Sequence, residues 1–181
     1  MRLILLIALT MCAFAANSVL NRLAVARFGT DPATFAAIRV IAGAMTLLAL
    51  VWWRGRTLAP LLTRARAAGA LSLSLYLIGF SLAYVTLDAG LGALILFGGV
   101  QLTMFAGALT GGTAIPLRRW VGAGVALGGL AVLLWPVGAV RVDLTGALLM
   151  AAAAFGWGVY SLLGAKAKDP LGATATNFLL A

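Results

Sequence analysis

The stretch LILLIALTMCAFAANSVLNRL, residues 3–23, decides the fold. It carries no charge before Arg22. A helix needs about 20 mostly apolar residues to cross the hydrocarbon core of a bilayer, and this stretch supplies them. A β-barrel would need strands of about 10 residues with alternating polarity, and nothing here alternates. A secretory leader is the rival reading. Arg2, the run Leu3 to Leu9 and the tripeptide Ala13-Phe14-Ala15 together look like a signal with a cleavage site. The apolar run continues past Ala15, however. A similar tripeptide, Ala154-Phe155-Gly156, recurs deep in the chain, where no leader could lie.

Working outward, five more stretches have the same character. They run roughly Pro32–Trp53, Ala67–Leu87, Leu91–Leu109, Trp120–Val140 and Leu144–Ala165. A seventh apolar run starts after Asp169-Pro170 and is too short to span a bilayer before Ala181, so the expectation is a fragment or an unfinished helix. Asp31-Pro32 and Asp169-Pro170 each read as an N-cap followed by proline at the first helical position. Composition agrees. Of 181 residues, 64% are hydrophobic and 9% charged, against about 25% charged in soluble domains. Disorder is excluded by the same numbers, and a disulfide framework by the lone Cys12, which reads as an inert buried thiol. The formal charge of +9 does not imply nucleic acid, because the basic residues separate apolar runs instead of lining a soluble face.

The distribution of those charges predicts an orientation. The N-terminus and the loops after even-numbered spans hold Arg2, Arg54, Arg56, Arg64, Arg66, Arg118, Arg119, Lys166 and Lys168. The loops after odd-numbered spans hold Arg22, Arg27 and Arg141. By the positive-inside rule the N-terminus is cytoplasmic and the protein is a multi-pass protein of the inner membrane. Trp52, Trp53, Trp120 and Trp135 fall at span ends and read as interface anchors. Gly107-x-x-x-Gly111 and Gly124-x-x-x-Gly128 read as close-packing surfaces, within the chain or in a homodimer.

The tripeptides at 13–15 and 154–156 match at an offset of 141 residues, and the two Asp-Pro pairs at 138. Arg39 then falls opposite Asn177, and Trp157 and Tyr160 opposite Ala16 and Val19. This order implies a five-helix unit over residues 1–141 that begins again over 142–181. An odd number of spans repeated in tandem gives an inverted repeat.

Candidate functional residues follow from polarity inside the spans, where it is expensive. Phe14, Asn17, Ser18 and Asn21 share one helical face. Ser72, Tyr76, Phe80 and Tyr84 step by four along the third span, and Phe97, Gln101 and Phe105 along the fourth. Trp157 and Tyr160 share a face of the sixth. Asn17, Tyr76, Gln101 and Trp157 are expected to converge on a substrate cavity, with Asn21, Arg39, Tyr84 and Tyr160 as further candidates. Packing roles compete at each. Asn17, Asn21 and Gln101 could serve only interhelical hydrogen bonding, and Tyr84 could belt the interface. Arg39, seven residues into its span, could meet an anion, an internal partner, or the outer interface by snorkelling; the last two are favoured. The sequence offers no metal cluster, no cofactor loop and no catalytic set, and no enzyme chemistry is expected.

The run Ala13-Phe14-Ala15-Ala16-Asn17-Ser18-Val19-Leu20-Asn21-Arg22, the Asp31-Pro32 pair, the Arg39 helix and the glycine-rich Gly122–Gly129 stretch resemble the EamA branch of the drug/metabolite transporter superfamily. The resemblance covers the whole chain. It implies ten helices in two inverted units in the complete protein, no cofactor, and export of small metabolites, such as amino acids, by alternating access. One departure is visible. Many members carry Gly-Glu after the fourth helix, whereas Gly111-Gly112-Thr113 here has no acid. A non-transporting membrane subunit or assembly factor, or an inactive truncated transporter, is the alternative function.

Overall fold

The computed structural model describes residues 2–112, 115–134 and 142–181. Trp135, Thr113 and Arg141 lie outside them. Seven α-helices follow one another, with no strand among the described residues. They are α1 (Arg2–Arg22), α2 (Pro32–Trp53), α3 (Arg64–Ala83), α4 (Ala89–Thr110), α5 (Leu117–Leu134), α6 (Leu144–Ala165) and α7 (Pro170–Leu180). One turn of π-helix, Leu23–Arg27, extends α1. Among the described residues, five helices, namely α1 with that turn, α2, α3, α4 and α6, are long and apolar enough to cross a membrane. This is consistent with an all-α membrane protein.

Short polar side chains set the helix starts. Asp31 Oδ2 accepts from the Thr34 amide at 2.7 Å, and Asp143 Oδ2 from the Gly146 amide at 2.6 Å. Asp169 accepts from the Leu171 amide at 3.2 Å, and Thr63 from the Arg66 amide at 3.2 Å. Each satisfies an amide that the first helical turn leaves free. The Thr63 cap starts α3 three residues earlier than hydropathy predicts. That draws Arg64 and Arg66 out of the loop and into the helix.

The centre of the molecule is α3, packed between α6 and α7, with α4 on the far side of α6. Its buried residues include Leu73, Tyr76, Leu77, Phe80 and Ala83. The α3–α6 contact is close because both helices present glycine there. A Cβ on Gly156 would stand 2.7 Å from the Ser72 carbonyl oxygen, and one on Gly79 3.0 Å from that of Leu149. Among the described residues of this one chain, nothing lies within 4 Å of a Cβ built at Gly124 or Gly128. Gly107 does pack, against Leu162.

Another expectation also needs correcting. Cys12 is exposed, not buried. Over its first half α1 is exposed, with no neighbour covering it among the described residues, and only its inward residues further along meet the bundle. Trp52 and Trp53, at the end of α2, are 84% and 78% exposed.

Candidate functional site

The predicted face of α1 is the one that turns inward. Ser18 and Asn21 are buried and Phe14 and Asn17 half-buried, while Ala13, Ala15, Ala16, Val19 and Leu20 are exposed. Four helices then bring side chains to one place. Asn17 Nδ2 (α1) lies 3.3 Å from the Tyr76 hydroxyl (α3). Arg39 Nη2 (α2) donates to Asn17 Oδ1 at 3.2 Å and reaches the Tyr76 hydroxyl at 3.5 Å. The Arg39 guanidinium also lies over the rings of Phe80, at 5.1 Å, and Tyr76, at 5.8 Å. Trp157 (α6) stands 4.7 Å from the Tyr76 ring and stacks on Tyr160 at 5.5 Å. Phe14 meets Trp157 edge-on at 6.5 Å and Phe97 at 5.7 Å. Arg39 therefore has internal partners, and the snorkelling alternative is overturned. Its guanidinium is drawn inward by an amide, a phenol and two ring faces.

In the observed conformation this cluster is closed. Phe14, Asn17, Ser18, Tyr76, Leu96, Phe97 and Trp157 enclose a space of about 10 Å³, room for one water at most. Among the described residues, buried polar atoms without a partner include Arg39 Nη1, Asn21 Oδ1 and the Tyr160 hydroxyl oxygen.

Not every predicted residue joins the cluster. Gln101 lines a separate, larger cleft of about 670 Å³ between α4 and α5, with Met104, Phe105, Ala123 and Arg119. It does not converge with Asn17, Tyr76 and Trp157. The step of four from Phe97 to Gln101 turns the side chain by about 40°, and that turn leaves Gln101 lining only the α4–α5 side. Phe97 borders both spaces. Tyr84 is wholly buried, donates to the Ala89 carbonyl at 3.3 Å and packs on Phe80 and Gly92. It braces the α3–α4 turn and belts no interface. Asn21 pairs with the Ser81 hydroxyl at 3.3 Å.

Two polar ties, neither foreseen from the sequence, flank the cluster. At one end Arg22 Nη1 donates to the carbonyls of Tyr84 and Val85 at 2.8 and 2.9 Å, and Nη2 approaches Asp88 at 3.5 Å. These carbonyls lie at the end of α3, where a cation is favoured. Nearby, the Thr86 hydroxyl donates to Asp143 at 2.9 Å. At the other end buried Arg66 donates from Nη1 to the Ala173 carbonyl at 3.0 Å and to Asn177 Oδ1 at 3.3 Å. The Thr176 hydroxyl donates to the Ala59 carbonyl at 3.1 Å. The Thr63 cap was the available signal for Arg66, since it places that residue inside the first turn.

The chain is 44% identical over 180 residues to Uncharacterized protein PA1977 of Pseudomonas aeruginosa. The match covers 99% of this chain and 62% of that protein, so the chain spans less than two thirds of its relative's length. No family model matches the chain. No solved structure matches it.

Proposed function

We propose that the chain is part of an inner-membrane secondary transporter of the EamA type, N-terminus cytoplasmic, that exports small metabolites by alternating access. The observation that carries this is the cluster of Asn17, Arg39, Tyr76 and Trp157. Four helices each contribute a polar or amphipathic group to it, well inside their spans, and one of the four, α6, opens the second repeat. Inverted-repeat transporters bind substrate between their two halves near the bilayer midplane. The cluster lies between the Arg22 and Arg66 ties, as a site gated at both ends would. By the charge bias, the Arg66 tie faces the cytoplasm. The relative extends beyond the portion matched here, as a two-unit protein would.

The closed space of about 10 Å³ favours a second reading, in which the cluster is packing glue in a non-transporting membrane subunit. Transport assays separate the two. A metabolite-resistance screen on cells overexpressing the full-length protein identifies an exported compound. Tyr76→Phe and Trp157→Leu are then expected to keep membrane abundance near wild type and to cut export of it severalfold. Loss of abundance in step with export would favour the packing reading.

A further inference from the structure

The cluster contains a cation without a counter-ion. A guanidinium stays charged at any physiological pH. The partners of Arg39 are an amide oxygen, a phenol and two aromatic rings, all neutral. The whole sequence has four acidic residues, Asp31, Asp88, Asp143 and Asp169. Each occupies the N-cap of a helix, and Asp88 faces Arg22. None is within ion-pairing distance of Arg39, for which no salt bridge forms among the described residues. Its Nη1 is buried with no acceptor at all. The side chain as a whole is half-buried, but a donor nitrogen shielded from water is costly unless it is bonded. Arg66 shows that this fold can satisfy a buried guanidinium when its role is structural.

We infer that Arg39 is a recognition residue for an anionic oxygen group, which takes the place at Nη1, and that the ligand is a small organic carboxylate. This rests on reading the cluster as a substrate site. The planar fork of arginine matches the two oxygens of a carboxylate better than any other side chain does. Walls of Phe14, Tyr76, Phe97 and Trp157 make the adjoining space apolar and aromatic, so the body of the ligand is apolar. The site opens to admit it, because the closed form has room for no solute. A phospholipid headgroup presents the same anionic chemistry, and the test separates the two sources.

The full-length protein, purified into phosphatidylcholine nanodiscs, is heated with acetate, phenylacetate or L-phenylalanine, and in parallel with the amide of each. At least one carboxylate is expected to raise the unfolding midpoint where its amide does not. Arg39→Gln should weaken that binding by about tenfold or more, and Arg39→Lys by less, since it keeps the charge but loses the fork. The assignment fails if carboxylate and amide act alike across the panel, or if the rise persists in Arg39→Gln. It also fails if phosphatidylglycerol nanodiscs give an Arg39-dependent rise that no solute matches, since a lipid headgroup would then be the partner. Carboxylate binding without flux in proteoliposomes would keep this inference and defeat the transport reading. Flux of neutral or cationic solutes without carboxylate binding would do the reverse.

Discussion

Arg39 is half-buried and Arg66 buried in the same bundle, and each donates to an asparagine Oδ1, at 3.2 and 3.3 Å. They differ in what else they meet. Arg66 adds a backbone carbonyl of α7 to its amide, so that one nitrogen has two acceptors. Arg39 adds a phenol at 3.5 Å and two ring faces, and keeps a nitrogen with nothing to bond. The first is the pattern of a tie between helices distant in sequence. The second is the pattern of a site completed by something else. The inventory of acceptors tells the two apart.

The sharpest way to break this contrast is to remove each arginine in the full-length protein. Arg66→Leu leaves the Asn177 amide oxygen buried without its donor. It should cost about 1–3 kcal/mol, read as earlier unfolding in a detergent titration and as reduced membrane abundance. Removing both partners, in Arg66→Leu with Asn177→Leu, should recover most of that loss, because paired apolar replacement leaves nothing unsatisfied. Arg39→Gln should do the opposite, leaving abundance near wild type while transport falls. If Arg39→Gln unfolds the protein and Arg66→Leu does not, the two roles are assigned the wrong way round.

Gly156→Val addresses the frame that holds the cluster. Its side chain would press on the Ser72 carbonyl and the Tyr76 amide, forcing α3 from α6 at the level of Tyr76 and Trp157. Overpacking of this kind costs about 1–3 kcal/mol. Export should fall by more than the loss of abundance explains. Gln101→Leu gives a smaller effect. Its cleft is separate from the cluster, so transport should change by less than about twofold, leucine being at home in a span. A large loss would make the α4–α5 cleft the solute path.

How far these features were legible in sequence depended on whether one helix or several determined them. The inward face of α1 follows from the period of a single helix, and Phe14, Asn17, Ser18 and Asn21 lie where that period puts them. The same holds for the caps at Asp31 and Asp169. Gln101 was misplaced because a stripe stepping by four drifts around its helix, and which neighbour it ends against depends on how α5 is set beside α4. Arg66 looked like a loop charge because its acceptors are Ala173 and Asn177, on a helix more than a hundred residues away. Gly124 and Gly128 have the spacing of a packing motif, yet meet no helix among the described residues of this chain. Spacing defines a face; only the fold supplies its partner.

The smallest expected effect is electrostatic and lies outside the cluster. Asp31 is held below its ordinary value of 3.8, chiefly by the Thr34 backbone amide and then by the Thr34 hydroxyl. A carboxyl lowered on folding stabilises the folded state above its ordinary value, and that contribution is lost as pH falls through the lowered one. Thermal unfolding of Asp31→Asn should thus differ from wild type slightly near neutral pH, and the difference should shrink as the pH falls below 3.8. A difference that grows on acidification would contradict the cap.

Access to the cluster from the two sides of the membrane tests the account most directly, and it needs no known substrate. A single cysteine is placed by Asn17→Cys in a Cys12→Ala background of the full-length protein, and a charged, membrane-impermeant thiol reagent is added to right-side-out and to inside-out vesicles. Arg56→Cys and Asp88→Cys mark the two faces and should label from opposite sides, cytoplasmic and outer respectively. Alternating access predicts that position 17 labels from both sides, more slowly than either control. If position 17 labels from neither side while both controls react, the cluster is sealed packing and the transport account is contradicted.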